Sequence, residues 1–321
     1  MKIGTAHRVR YFSIALAYVL VLVAGLMALV MSTAKDRANY LVIFSNPFGN
    51  SRIEIGFQYY VDALEHLNVP PAVGIVITCV LTYMILAYAW YAWVRIYWIE
   101  SLLLFNFFVF SLFNYYLGTS IRMGLATALA LYGAVQIARG NRKFLVLVWI
   151  SGLFQYGTIP FSLIVTWLVL TQRVSWRIHK VFILAASIAL PLSVALILRH
   201  LGLSGHYMSY FNGSEGQTGR IFPFTYAFLV LALVLSSFKG EDTILRRAAF
   251  YGLPFLLYGI FSGVAIFSKM LIPNIFIASM VITSDYWNAY VKNVGPNFRL
   301  FFAVALNGLA MLYALRAYQY I

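Results

Sequence analysis

Apolar residues run along this chain in stretches long enough to cross a bilayer, separated by short polar joints. A helix needs about 20 consecutive apolar residues to cross the hydrocarbon layer. Unbroken runs of that length indicate helices rather than the weaker alternation of a membrane barrel. The pattern predicts spans over 11–31, 72–94, 98–117, 121–138, 181–199, 221–238, 248–268, 272–290 and 300–315, with a kink at Pro191. Residues 144–170 read differently. Basic clusters flank both ends, Arg142/Lys143 before and Arg173/Arg177/Lys180 after. The stretch is too short for two full spans, which need roughly 40 residues. Gln155-Tyr156-Gly157-Thr158-Ile159-Pro160 supplies a break at its centre, because Gly and Pro both interrupt helices. The segment is therefore predicted to be a hairpin of two short helices. Its non-helical tip must be covered by protein or water, so it is expected to line a cavity near the outer face. The fold class is an all-α polytopic transmembrane bundle of about 10–11 membrane segments, counting the broken hairpin.

The longest polar interruption is 35–71. It gathers Asp36, Glu54, Asp62 and Glu65 out of nine acidic residues in the whole chain. Ile53, Phe57, Tyr60, Leu64 and Leu67 recur there at helical spacing, as on an amphipathic helix lying on the membrane. Such a helix could simply solvate its charges on the outer face, or it could line a site. A second polar loop, 200–220, is rich in Gly, Ser and Tyr.

Composition sharpens this picture. Hydrophobic residues make up 62% of the 321 and charged ones 10%, against about 25% charged in soluble domains. The chain is read as one integral membrane domain, 1–321, with no room for a separate soluble one. Cys79 is the sole cysteine, so no internal disulfide and no thiol-based metal site can form. The net charge of +14 is explained by topology rather than by nucleic acid, since no basic run is interleaved with exposed aromatics.

Lys2, Arg8 and Arg10 place the N-terminus in the cytoplasm, and most of the 23 Lys and Arg then fall on that side. The loops 35–71 and 200–220 lie outside, as does the C-terminus. Residues 11–31, followed by Ser32-Thr33-Ala34, imitate a signal peptide, but the apolar core is long enough to be a retained anchor.

The arginines and lysines that go against the charge bias are the candidates for chemistry. Arg122 opens the span 121–138 beside an outward turn. It could snorkel to headgroup phosphates, or its planar fork could grip a lipid-linked phosphate inside a cavity. Glu54 stands among Ile53, Ile55 and Phe57, a setting that suits a general base. It could equally form a salt bridge with Arg52 or Arg37. Asp36 reads as a cap or as a partner of Arg37. Arg220 and Lys269 could reach the same external cavity, or serve as ordinary helix-end charges. No histidine pair has metal spacing on one helix, and neither a phosphate-cradling glycine loop nor a nucleophile elbow is present. No metal and no cofactor is expected.

Asp36-x3-Tyr40, Glu54-x-Gly56-Phe57 and Ile121-Arg122-x3-Ala126, followed by a basic turn and a broken apolar segment, resemble the EpsG family. Its members are related to Wzy-type polymerases of O-antigen and capsule. Where many members carry a histidine in a Phe-His-x-Ser step, this chain reads Phe154-Gln155-Tyr156-Gly157. Gln155 can donate a hydrogen bond but takes up no proton at neutral pH.

The resemblance implies a GT-C-like glycosyltransferase at the outer face of a bacterial inner membrane. It would move a growing glycan from undecaprenyl diphosphate onto the next lipid-linked repeat unit, making O-antigen, capsule or exopolysaccharide. On that reading Glu54 and Arg122 are catalytic, while Asp36, Arg52, Gln155, Tyr156, Arg220 and Lys269 bind substrate. The lipid-linked oligosaccharide and the membrane are the partners, with a chain-length regulator protein as a further candidate and no nucleic acid. Two other classes fit the composition. An O-antigen ligase or acyltransferase would be expected to carry a larger external loop. A flippase or transporter would be expected to show paired broken helices, whereas one break is evident here.

Overall fold

In a computed structural model of the chain, the residues described are 37–49, 53–94, 98–109, 120–200, 226–227, 229–232, 234, 243–256, 270–291, 293–295, 298–299 and 301–306. Among them the secondary structure is helical, with no strand. The α-helices are α1 (Arg37–Ser45), α2 (Ile55–His66), α3 (Pro71–Trp93), α4 (Trp98–Phe108), α5 (Ile121–Ala138), α6 (Leu145–Phe154), α7 (Ile159–Leu170), α8 (Trp176–His200), α9 (Ile244–Phe250) and α10 (Ile272–Tyr286). The predicted span 11–31 and the loop 200–220 beyond His200 lie outside the described residues, as does most of 221–238 and of 300–315.

The helix ends follow local chemistry. Asn68 takes the left-handed conformation, φ 57°, just beyond α2. Its N–H donates to Glu65 O and that of Val69 to Leu64 O, which satisfies the last carbonyls of the helix. Pro71 then opens α3, where its missing N–H costs nothing. Gly140, φ 96°, closes α5 in the same way, with Gly140 N–H on Ile137 O and Asn141 N–H on Gln136 O.

Two helices among the described residues, α3 and α5, are long and apolar enough to cross a membrane. On α3 the threonines fall on the buried face, among apolar and aromatic residues. Its buried face holds Thr78 and Thr82, each donating to the carbonyl four residues earlier. Its exposed face presents Val73, Ile77, Leu81, Met84, Tyr88 and Tyr91. An outer face made only of apolar and aromatic side chains is one that hydrocarbon can cover.

The described chain groups into two compact units. The first, Met1–Tyr132 with Leu153–Tyr156 and Val291–Ile321, has a core of Tyr40, Ile43, Phe44, Ile53, Phe57, Val61, Ile75, Cys79 and Ile121. Here α1 and α2 pack on α3. Gly74 permits the approach, because a Cβ there would lie 2.6 Å from the Phe44 ring. An ion pair in this unit joins Glu100 to Arg299 at 3.5 Å.

In the second unit, Gly133–Gly152 with Gly157–Tyr290, the two arms of the predicted hairpin take shape, while its tip, Leu153–Tyr156, belongs to the first unit. α6 ends at Phe154, the 3-10 turn Tyr156–Thr158 follows, and α7 begins with Pro160 in its first turn. Ser162 donates to Val148 O at 2.7 Å and Trp149 Nε1 to Thr166 at 3.0 Å, so the two arms lie against each other.

Three expectations shift. α8 runs helically through Pro191 and begins at Trp176, ahead of the predicted 181. The span predicted from 248 starts at Ile244 instead, because Thr243 caps the helix by accepting from the Arg246 N–H. It is then interrupted by a turn at Tyr251–Gly252. Finally, α10 passes at Trp287 into a π-helical turn.

Candidate functional site

Glu54 and Arg122 meet in the first unit. Arg122 Nη1 donates to Glu54 Oε2 at 2.5 Å across 68 positions of sequence. The Glu54 side chain is 6% exposed and that of Arg122 25%. The partner seen among the described residues is an arginine from another helix, whereas local sequence offers Arg37 and Arg52, the latter outside the described residues. Glu54 directly precedes α2, and its carbonyl accepts the first amides of that helix from Phe57 and Gln58. The backbone therefore fixes where the carboxylate leaves the chain. Arg122 stands in the first turn of α5, behind the buried Ile121.

Tyr40 completes the group, its side chain hydrogen-bonding Arg122. It comes from α1 and is buried against Phe57, with ring centroids 6.5 Å apart at 69°. Tyr40 belongs to the spacing Asp36-x3-Tyr40, yet sequence reasoning passed over it in favour of Asp36. The signal was that spacing itself, since the stretch otherwise advertises its charges. The guanidinium is thus shared between a carboxylate and a phenol, and its Nε is buried with no hydrogen-bond partner among the described residues. A buried ion pair is poor value as a source of stability, since desolvating two charges offsets their attraction. Removing one partner is expensive, about 3–5 kcal/mol, because the other charge is left stranded.

The break in the hairpin touches the same helix. Phe154 packs on Tyr60, centroids 6.1 Å apart, and Gly56 faces Leu153 so closely that a Cβ would lie 2.8 Å from the Leu153 carbonyl oxygen. Gln155, half-buried, and Tyr156, 53% exposed, follow immediately. Tyr60 also hydrogen-bonds Thr78 at 3.0 Å. Burial pushes its phenol above the ordinary value and the Thr78 contact draws it partly back, so it remains a neutral hydrogen-bonding group.

Gly56→Ala is expected to lower stability by about 1–3 kcal/mol through overpacking against backbone. The check is thermal melting of the purified variant. A melting curve matching the wild type would mean that α2 and the break do not meet this closely.

The remaining candidates, Asp36, Arg52, Arg220 and Lys269, lie outside the described residues. Among the described residues no group of three His, Cys, Asp or Glu stands together as a metal site would require. One constellation was missed altogether: Arg246 donates to Asp285 in the second unit, with Arg246 5% exposed. By charge bias alone Arg246 counts among the cytoplasmic-side cations.

The sequence profile of the EpsG family matches residues 10–320. No curated protein and no solved structure matches the chain. The profile covers nearly the whole sequence, so the chain belongs to the EpsG family.

Proposed function

We propose that this protein is a multi-pass membrane glycosyltransferase that polymerises undecaprenyl-diphosphate-linked repeat units at the outer face of the cytoplasmic membrane. The observation carrying the reading is the buried Glu54–Arg122 pair, reached by Tyr40, in a chain of this family. Lipid-linked glycan chemistry asks for two things. A diphosphate leaving group develops negative charge, which a preorganised guanidinium can stabilise. An attacking hydroxyl loses a proton, which a carboxylate can accept.

In the proposed reaction, a hydroxyl at the non-reducing end of the incoming unit attacks the anomeric carbon of the growing glycan. The bond from that carbon to the diphosphate oxygen breaks, and undecaprenyl diphosphate leaves with the electron pair. Glu54 takes the hydroxyl proton. Arg122 keeps donors for the diphosphate beyond those spent on Glu54 and Tyr40, since a guanidinium has five N–H groups. Glu54 and Tyr40 therefore hold the guanidinium plane in place before substrate arrives. Gln155 and Tyr156, at the break beside α2, are assigned to sugar binding: an amide supplies hydrogen bonds and an exposed ring a stacking surface.

Removing the gene from its cell and supplying it back tests the reading as a whole. Loss should leave single lipid-linked repeat units and no long polymer, and restoration should return the ladder. Undiminished polymer without the gene would sink the proposal.

Topology has its own test. In a Cys79→Ser background, Gly140→Cys and Ser175→Cys flank the hairpin at exposed positions. Both should be labelled by an impermeant thiol reagent from the cytoplasmic side only. Labelling from opposite sides would turn 144–170 into a single crossing.

A further inference from the structure

The second unit carries a basic surface that polymerisation leaves unused. Lys143, Arg173, Arg177 and Lys180 are exposed. Arg142, also exposed, is tied to the turn after α7 by Nη2 donating to Gln172 Oε1 at 2.7 Å. Trp176, at the start of α8, has Lys180 Nζ 5.9 Å from its ring centroid and the Arg247 guanidinium 5.7 Å away. Arg247 Nη1 donates to Val174 O at 3.1 Å, so α9 joins the same surface. Segments distant in sequence thus bring cations together, although like charges repel. Among the described residues, the carboxylate of this unit, Asp285, is engaged by Arg246.

This surface borders exposed aliphatic side chains. On α8 the exposed residues change from Arg177 and Lys180 to Val181 and Leu184, 68% and 65% exposed. No charge follows Lys180 before Arg199. Leu170, at the end of α7, is 77% exposed. Cations bordering bare aliphatic surface, with an indole between them, match a headgroup layer lying on acyl chains. An acidic soluble protein would match the charges and leave the aliphatic residues uncovered.

We propose that the surface formed by Arg142, Arg173, Trp176, Arg177, Lys180 and Arg247 binds the headgroups of anionic phospholipids in the leaflet it faces. Guanidinium forks take phosphodiester oxygens two at a time. Each basic residue near an anionic leaflet strengthens binding about fivefold, equivalent to about 1 kcal/mol. The inference rests on the membrane placement proposed above and not on the roles of Glu54 or Arg122.

The test uses full-length protein in phosphatidylcholine nanodiscs doped with brominated phosphatidylglycerol or brominated phosphatidylcholine. Subtracting the emission of a Trp176→Phe variant isolates quenching at this surface. Brominated phosphatidylglycerol should quench Trp176 at several-fold lower mole fraction than its neutral counterpart. The variant Arg142→Gln/Arg173→Gln/Arg177→Gln should erase that preference, and Arg173→Gln alone, should the triple variant fail to insert, should weaken it. Equal quenching of the wild type by both lipids overturns the site. Quenching by neither contradicts the membrane placement itself, which separates the two failures. A preference abolished by excess inorganic phosphate would point to a soluble anion as the occupant and would also overturn the proposal.

Discussion

Arg122→Lys is expected to lose long polymer almost as completely as Arg122→Ala. Lysine keeps the charge but presents a point ammonium, whereas the guanidinium is shared between Glu54 and Tyr40 and, in the proposed reaction, still needs donors for a diphosphate. One ammonium cannot reproduce that planar geometry. The two variants should differ in stability. Alanine leaves the Glu54 carboxylate buried without its cation, a loss of about 3–5 kcal/mol, so this protein should melt early and accumulate poorly. Lysine retains a cation near Glu54 and should melt closer to the wild type. The readout is the polymer ladder from cells carrying each variant at equal expression, set beside melting of the purified proteins. Full-length ladders with lysine would reduce Arg122 to a general positive charge. Full-length ladders with alanine would remove it from the mechanism.

Much of the helical frame was legible because Pro, Gly and charge punctuate it. The span predicted over 121–138 is α5, residue for residue, closed by Gly140. The one predicted over 72–94 is α3 at 71–93, opened by Pro71. The break predicted within 155–160 appears as a short turn between two helices. Phe57, Tyr60 and Leu64 form the inner face of α2, with Ile53 two residues before it, all four in or against the core. Leu67, one step beyond the helix, is 72% exposed.

The pairing of charges was not legible. A carboxylate at Glu54 has Arg52 two positions away, and local reasoning favours such a neighbour. The partner instead depends on which helices pack, which places Arg122 from α5 against it. The same gap hid Arg246. Two adjacent arginines read as a cytoplasmic loop by the positive-inside rule, and the rule says nothing about a helix beginning at Ile244. Once Thr243 caps that helix, Arg246 is carried inward to Asp285. Charge bias along a sequence reports side of membrane, and tertiary packing decides which charges are buried.

Glu54→Gln is the second large effect. The amide keeps the size of the side chain and an oxygen to accept from Arg122 Nη1, yet cannot take a proton at neutral pH. A positioned base contributes about 10²–10⁴-fold in rate, and a loss of that order is expected. Arg52→Gln, at a position proposed to bind substrate and not to take the proton, should be far milder. Glu54→Gln/Arg122→Lys should fall little further than the worse single variant, because residues acting as a unit are strongly non-additive.

The most direct measurement is therefore turnover of purified protein on lipid-linked repeat units, wild type against Glu54→Gln, with substrate binding followed in parallel. Glycan elongation should collapse by at least two orders of magnitude while the lipid-linked unit still binds. Near-normal elongation by Glu54→Gln would contradict a base at Glu54 and would pass that role to another carboxylate, Asp36 first.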